Sequence, residues 1–95
     1  MNLNEMTKTI KKIGKKRGWN STDMEQIVEM IEENYEELKD QVTEKDKHGI
    51  DHKMMDVFVL LLQLAIRNDT DLETLFKAHI EEMREKYPVK ENGSD

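Results

Sequence analysis

The sequence predicts an all-α protein of four helices, in which identical chains associate into a homo-oligomeric helical bundle. Apolar residues recur every three or four positions in three stretches, as on one face of a helix, and no stretch alternates as a strand does. A fourth stretch, MMDVFVLLLQLAI, is apolar almost all the way round. Such a helix must be covered on several sides, and a chain of 95 residues offers little cover. We therefore expect a second copy of the chain to provide part of it.

The first two helices are placed by their ends. The first is expected to stop near Gly18, in the stretch RGWN, and its apolar residues at helical spacing are Leu3, Met6, Ile10 and Ile13. The second is expected to begin at a capping-box pattern formed by Thr22 and Glu25 and to reach about Val42. Steps of four and three residues define its apolar seam, which consists of Met24, Val28, Ile31, Tyr35, Leu38 and Val42.

The third helix is the apolar one, expected over residues 51–68. A second capping-box spacing, Thr70 with Glu73, opens the fourth helix, and Pro88 ends it because proline cannot continue a helix. The apolar side of this fourth helix is formed by Leu72, Phe76, His79, Met83 and Tyr87. We read residues 1–88 as one helical domain and the polar residues 89–95 as a flexible tail.

Composition and charge argue against several classes of protein. The net charge is −6, whereas general nucleic-acid binding relies on a basic footprint. The chain has no cysteine, which excludes disulfides and thiolate metal sites. No stretch approaches the roughly 20 apolar residues of a membrane span, and the N-terminus has no apolar core of a secretory signal. We therefore expect a cytoplasmic protein that binds neither membranes nor nucleic acid.

The second helix is unusually acidic. Its stretch QIVEMIEENYEELKDQV, residues 26–42, has no basic residue until the lysine near its end. Like charges three or four positions apart repel by a few tenths of a kcal/mol, and a divalent cation would reverse that repulsion. Asp56, in the apolar third helix, is a candidate ligand from a facing helix. Two interpretations stay open: a Mg²⁺ site, or a solvated acidic face with Asp56 near the first turn of its own helix.

The order of several short motifs resembles the MazG-like nucleotide pyrophosphohydrolases, a family of the all-α NTP pyrophosphatase superfamily. RGW is followed by EENYEEL, then by DVFVLLLQLA, NDTDLE and REKYP, and the resemblance runs from about Leu3 to Pro88. It implies a MazG-like helical unit that forms a homodimer or a tetramer. It also implies cleavage of ribo- or deoxyribonucleoside triphosphates to a monophosphate and pyrophosphate, with Mg²⁺, or alternatively Mn²⁺, held by carboxylates.

The resemblance also assigns residues, through the family patterns E-E-x-x-E and E-x-x-D. It implies a metal site formed by Glu32, Glu33, Glu36 and Asp56, with Glu33 and Glu36 catalytic. The nucleotide would be contacted by Trp19, Lys53 and Lys86. Lys53 stands where E-x-x-D has its glutamate, so a second function stays open: a catalytically inactive relative that binds a nucleotide or a protein partner.

Three other features have two interpretations each. The basic run from Lys8 to Arg17 can attract phosphates, or it can be a solvated face that balances the acidic helix. Trp19 can stack on a base, or it can be buried as an anchor of the first helix. His79 can be a ligand, or it can be an ordinary residue of the apolar side of its helix.

Overall fold

The computed structural model describes residues 1–87 and residue 89, and these residues form four α-helices. The helices are α1 (Leu3–Arg17), α2 (Met24–Glu44), α3 (Lys47–Arg67) and α4 (Leu72–Lys86), with a 3-10 turn, Trp19–Ser21, between α1 and α2. No strand occurs among the described residues, so the prediction of an all-α chain is confirmed. Among them, no helix is long and apolar enough to span a membrane. The predicted stop at Pro88 and nearly all of the predicted flexible tail lie outside the described residues.

The start of α2 differs from the prediction by one residue. The N-cap is Asp23, whose side chain accepts a hydrogen bond from the backbone N–H of Gln26 at 2.8 Å, while the Gln26 side chain accepts from the Asp23 backbone N–H. The predicted capping box of Thr22 and Glu25 is therefore wrong. Aspartate is a strong N-cap residue because its short carboxylate reaches the free N–H groups of the first turn.

The later helix starts also differ from the predictions. Asp46 caps α3, which begins at Lys47, four residues before the predicted start. Asp71, rather than Thr70, caps α4 and accepts a hydrogen bond from the backbone N–H of Thr74. Glu73 has a different role from the predicted one, because its carboxylate accepts from the backbone N–H of Leu3 at 2.6 Å. That bond ties the start of α1 to α4.

The core lies between α2 and α3, which pack along their length. Ile27 is fully buried in α2, and the buried residues of α3 are Leu60, Leu62, Gln63 and Ala65. The side of α2 that faces the core follows Ile27 with half-buried residues at steps of four and three: Ile31, Asn34, Leu38 and Gln41. The predicted seam shares Ile31 and Leu38 with it, but its other members are largely exposed: Met24, Val28, Tyr35 and Val42. The helix is therefore rotated from the predicted orientation by about 60°.

The outer helices are less well covered. α1 packs on α3, and α4 contacts α1, yet none of the residues of α4 is buried. An apolar gap of about 400 Å³ separates α4 from α3, and Leu61 and Phe76, two of its lining residues, are 47% and 57% exposed. The Cα radius of gyration is 16.3 Å, compared with about 13 Å for a compact domain of roughly 100 residues. The single chain is thus open on the α4 side.

Candidate functional site

One cleft combines polar groups with an aromatic side chain. It has a volume of about 350 Å³, lies between α2 and α3, and is bordered by the 3-10 turn. Its polar contributors are Thr22, Asn34, Asp56 and Gln63, and its remaining lining includes Trp19, Met30, Val59 and Leu60. Trp19 is 37% exposed, so it is not the buried residue that one of the two interpretations expected. A cleft with apolar walls and a few convergent polar groups is the usual form of a small-molecule site.

An arginine at the end of α3 holds the turn that carries Trp19. Arg67 donates from Nε to the Thr22 carbonyl at 2.6 Å, and from a terminal guanidinium nitrogen to the Trp19 carbonyl. Both carbonyls belong to residues that line the cleft. Because one planar guanidinium binds carbonyls at the start of the turn and just after its end, this border of the cleft is fixed to α3.

The same turn is fixed to α1 from the other side. The Asn20 side chain donates to the Lys11 carbonyl at 3.1 Å. A Cβ placed on Gly14 would lie 2.9 Å from the Asn20 side-chain oxygen and 3.2 Å from the Trp19 Cβ, so a larger residue at position 14 would displace the Asn20 side chain and press on Trp19. The position of the indole therefore depends on α1 and α3 together.

A cluster of charges lies beside the cleft, where α2 faces α3. Lys53 Nζ is paired with the Glu37 carboxylate across the two helices, and it lies 3.5 Å from Asp56 Oδ2. The hydrogen bond to Glu37 raises the pKa of Lys53 above its ordinary value. His52 Nε2 is 3.6 Å from the same Asp56 oxygen. The two carboxylates therefore share one cation, and the chain itself supplies it.

The predicted acidic residues of α2 do not converge on Asp56. Glu32 and Glu36 are exposed on the side away from α3, and Glu36 pairs instead with Lys39 at 3.5 Å. Glu33 is also exposed, but it precedes Glu37 by four positions and therefore lies on the same edge of α2.

A divalent metal does not fit the residues as they stand. Among residues 1–87 and 89, no group of three or more histidine and acidic side chains is arranged to hold a metal ion. The place between Glu37 and Asp56, where a cation would be held by both helices, is taken by the ammonium of Lys53. An ammonium repels a divalent cation at that distance. The four-carboxylate site implied by the resemblance stays a prediction that this arrangement does not favour.

The other predicted nucleotide contact, Lys86, lies far along the chain from the cleft. It is in the last turn of α4, which packs on α1, and its Nζ is 5.6 Å from the centre of the Tyr87 ring. His79 is exposed on α4 and lies 3.6 Å from Glu82. Of the residues that the sequence assigned to the site, Trp19 and Asp56 share the cleft, with Lys53 beside them.

Sequence reasoning missed Glu37, Asn34 and Arg67. Glu37 is the second glutamate of the pair that follows Tyr35, and the predicted seam placed it away from α3. The signal that identifies it is the second stripe of α2, which starts at Ile27 and includes the polar Asn34. Arg67 has no sequence signal of this kind, because its partners are backbone carbonyls of a turn.

Comparison with models of known protein families, with curated proteins and with solved structures found no match for this chain. The resemblance to the MazG-like nucleotide pyrophosphohydrolases therefore rests on the order of the motifs alone and stays a prediction.

Proposed function

We propose that this chain is a MazG-like unit that binds nucleoside triphosphates in the cleft between α2 and α3. The observation that carries the proposal is that Trp19, which the resemblance assigns to the nucleotide, and Asp56, which it assigns to the metal, line the same cleft. These two residues belong to different elements and are far apart in the chain. A cytoplasmic location is part of this proposal.

The cleft offers what a nucleobase requires. An exposed indole provides a flat apolar surface, and stacking of a base on an aromatic side chain is worth about 1–3 kcal/mol. The side-chain amides of Asn34 and Gln63 carry both donors and acceptors, which match the edge of a base. A volume of about 350 Å³ is at the small end of ligand pockets, which suits the base and sugar, with the phosphates outside.

A second candidate function is cleavage of the bound nucleotide to a monophosphate and pyrophosphate. The observation that favours it is the convergence of Glu37 and Asp56 on one cation, with Glu33 one turn before Glu37. The resemblance implies that Mg²⁺ or Mn²⁺ supplies charge neutralisation in that reaction. In this chain the carboxylates would become available to a metal only when Lys53 leaves them.

We also propose that the chain is a homodimer or a tetramer. The exposed apolar side chains support this, because three of the helices carry them. They are Val28 and Tyr35 on α2, Leu61 on α3, and Leu75 and Phe76 on α4. The open shape supports it as well, since a second copy in the gap beside α4 would cover the apolar third helix. Identical chains meeting through these faces would bury the surface that one chain leaves in water.

Binding is tested by the fluorescence of Trp19, which is the only tryptophan of the chain. Titration with a panel of ribo- and deoxyribonucleoside triphosphates is expected to quench it to saturation. Replacement of Asn34 by Leu removes an amide from the cleft and should weaken binding by about tenfold, the equivalent of one hydrogen bond. The matched control is Glu29→Gln, on the exposed side of the same helix, which should bind as the natural chain does.

Pyrophosphate release is measured on the same samples with Mg²⁺ or Mn²⁺. Quenching without release supports the binding function. Release that disappears in a Glu33→Ala/Glu36→Ala variant supports cleavage by the predicted residues. Release that disappears only in Glu37→Ala indicates that the carboxylate facing α3 takes part in cleavage instead. A folded sample that shows neither quenching nor release rejects both functions.

A further inference from the structure

Lys53 is more buried than the other lysines among residues 1–87, which are all exposed. Its side chain is 22% exposed, whereas the paired Lys39 and Lys47 are 56% and 87% exposed. It joins a carboxylate of α2, Glu37, to one of its own helix, Asp56. Asp56 lines the cleft, so the ammonium lies at the edge of the same cleft.

The charges of Glu37, Lys53 and Asp56 explain why an ammonium, and not a metal ion, lies between the two carboxylates. Glu37, Lys53 and Asp56 sum to −1. A glutamate at position 53 would bring the sum to −3, and three neighbouring carboxylates favour the binding of a divalent cation. The lysine removes that preference, because one ammonium already contacts both carboxylates.

We propose that the Lys53 ammonium is the built-in cation of this cleft, which takes the place of a divalent metal and contacts a phosphate of the bound nucleotide. The proposal rests on the proposed nucleotide-binding function. Glu37 is half-exposed and is free to turn toward water, so a phosphate oxygen can replace it on Lys53 while Asp56 holds the ammonium in place. Nucleotide binding then requires no divalent metal.

Two substitutions separate this role from a purely structural ion pair. Lys53→Gln removes the ammonium and should weaken triphosphate binding in EDTA by about tenfold or more, since a charge-assisted hydrogen bond is lost. Glu37→Gln removes the carboxylate that competes with the phosphate and should strengthen binding. A structural ion pair would predict weaker binding in both variants, and that result would overturn the proposal.

The dependence on metal is measured with the natural chain. Binding of a nucleoside triphosphate, followed by Trp19 fluorescence, should reach saturation in EDTA without any added metal. Binding seen only with Mg²⁺ would overturn the proposal. A nucleoside without phosphates serves as the control, because its affinity should not respond to Lys53→Gln.

The metal itself is the probe for the substitution Lys53→Glu. Titration with Mn²⁺, followed by the electron paramagnetic resonance of the free ion, should show at least about tenfold tighter binding than in the natural chain. The gain should disappear when Asp56→Asn is added. The matched control exchanges the charges, with Glu37→Lys and Lys53→Glu together, and it should fold through the restored pair without gaining Mn²⁺ affinity.

The outcomes also separate this proposal from the proposed function. If no nucleotide binds to the natural chain, the proposed function fails, and the phosphate contact of Lys53 fails with it. The Mn²⁺ titration still decides whether Lys53 stands in place of a metal. Equal Mn²⁺ affinity in the natural chain and in the folded Lys53→Glu variant would reject that part.

Discussion

The α2–α3 pair is packed more extensively than the helix α4. α2 and α3 bury Ile27 against one another, share the Lys53 ion cluster, and fix the Trp19 turn through Arg67. α4 contributes no buried residue and is tied to α1 by the bond between Glu73 and the Leu3 backbone. The residues proposed to bind a ligand thus belong to the region that is packed within a single chain. Exposed apolar side chains occur in both regions, but α4 has them without any buried residue to hold it.

Apolar residues of α2 also divide into a stripe that is buried within the chain and a stripe that is left exposed. The stripe of α2 that starts at Ile27 stabilises the single chain, whereas the neighbouring stripe with Val28 and Tyr35 remains largely exposed. Ile31 lies between the two stripes and is half-buried. We therefore expect substitutions on the first stripe to change the free energy of unfolding, and substitutions on α4 to change the association of chains.

The largest effect is expected from Ile27→Ala. The side chain is fully buried, so its truncation leaves a cavity and should lower the free energy of unfolding by about 2–5 kcal/mol. The matched variant is Phe76→Ala on α4, where the ring is 57% exposed and the loss within one chain should stay near 0.5 kcal/mol. Urea unfolding at a low protein concentration measures both.

Association provides the second measurement on the same two variants. Phe76→Ala should shift the oligomer toward single chains in analytical ultracentrifugation, because the ring belongs to the proposed contact between copies. Ile27→Ala should associate as the natural chain does wherever it remains folded. The reverse order of the two variants in unfolding, or an unchanged oligomer with Phe76→Ala, would show that the distinction between the two regions is wrong.

A smaller effect is expected at the start of α2. Asp23→Ala removes the observed N-cap and should cost about 1 kcal/mol of unfolding free energy, within the usual range of 0.5–2 kcal/mol for caps. Thr22→Ala, at the position that the sequence predicted as the cap, should cost less than about 0.5 kcal/mol. Because α2 packs against α3, we expect the two helices to unfold together, so thermal melts should register the loss at Asp23 as a shift of the whole transition. A larger loss of unfolding free energy with Thr22→Ala than with Asp23→Ala would show that Thr22 is the cap, as the sequence predicted.

The helices could be predicted from the sequence because their signals are local. Gly18 ends α1 in the left-handed conformation, with φ of +73°, as its position in RGWN indicated. The capping boxes were misplaced because two adjacent residues, Thr22 and Asp23, are both good caps, and the spacing to a glutamate favoured the first. The final choice depends on which backbone N–H groups each side chain reaches.

The orientation of α2 was harder to predict, and the candidate site depends on it. The prediction took apolar residues as buried, whereas Asn34 and Gln41 lie on the core-facing side in this structure. Gln41 lies against Gly49 at the start of α3, where a Cβ would lie 2.1 Å from the Gln41 side-chain oxygen, so a larger residue there would require the Gln41 side chain to move. A rotation of about 60° then decides that Glu37, and not Glu36, faces Lys53. Such a rotation results from tertiary packing and leaves no local signal in the sequence.

The smallest effect is expected at the start of α4, and it depends on pH. The backbone N–H of Thr74, and after it the side chain of Asn4, hold the pKa of Asp71 below its ordinary value of 3.8. A carboxyl group whose pKa is lower in the folded chain stabilises it above the unfolded pKa, and this contribution is lost as the pH falls through the folded pKa. The protection factor of the Thr74 amide, which is its hydrogen exchange relative to an unstructured amide at the same pH, should therefore fall below about pH 4. Asp71→Asn keeps a cap without a titrating group, so its Thr74 amide should not show this acid step, and the amide of Gln26 in α2 should stay protected until the whole chain unfolds. Equal acid steps in the natural chain and in Asp71→Asn would show that the cap at Asp71 is not what protects this amide.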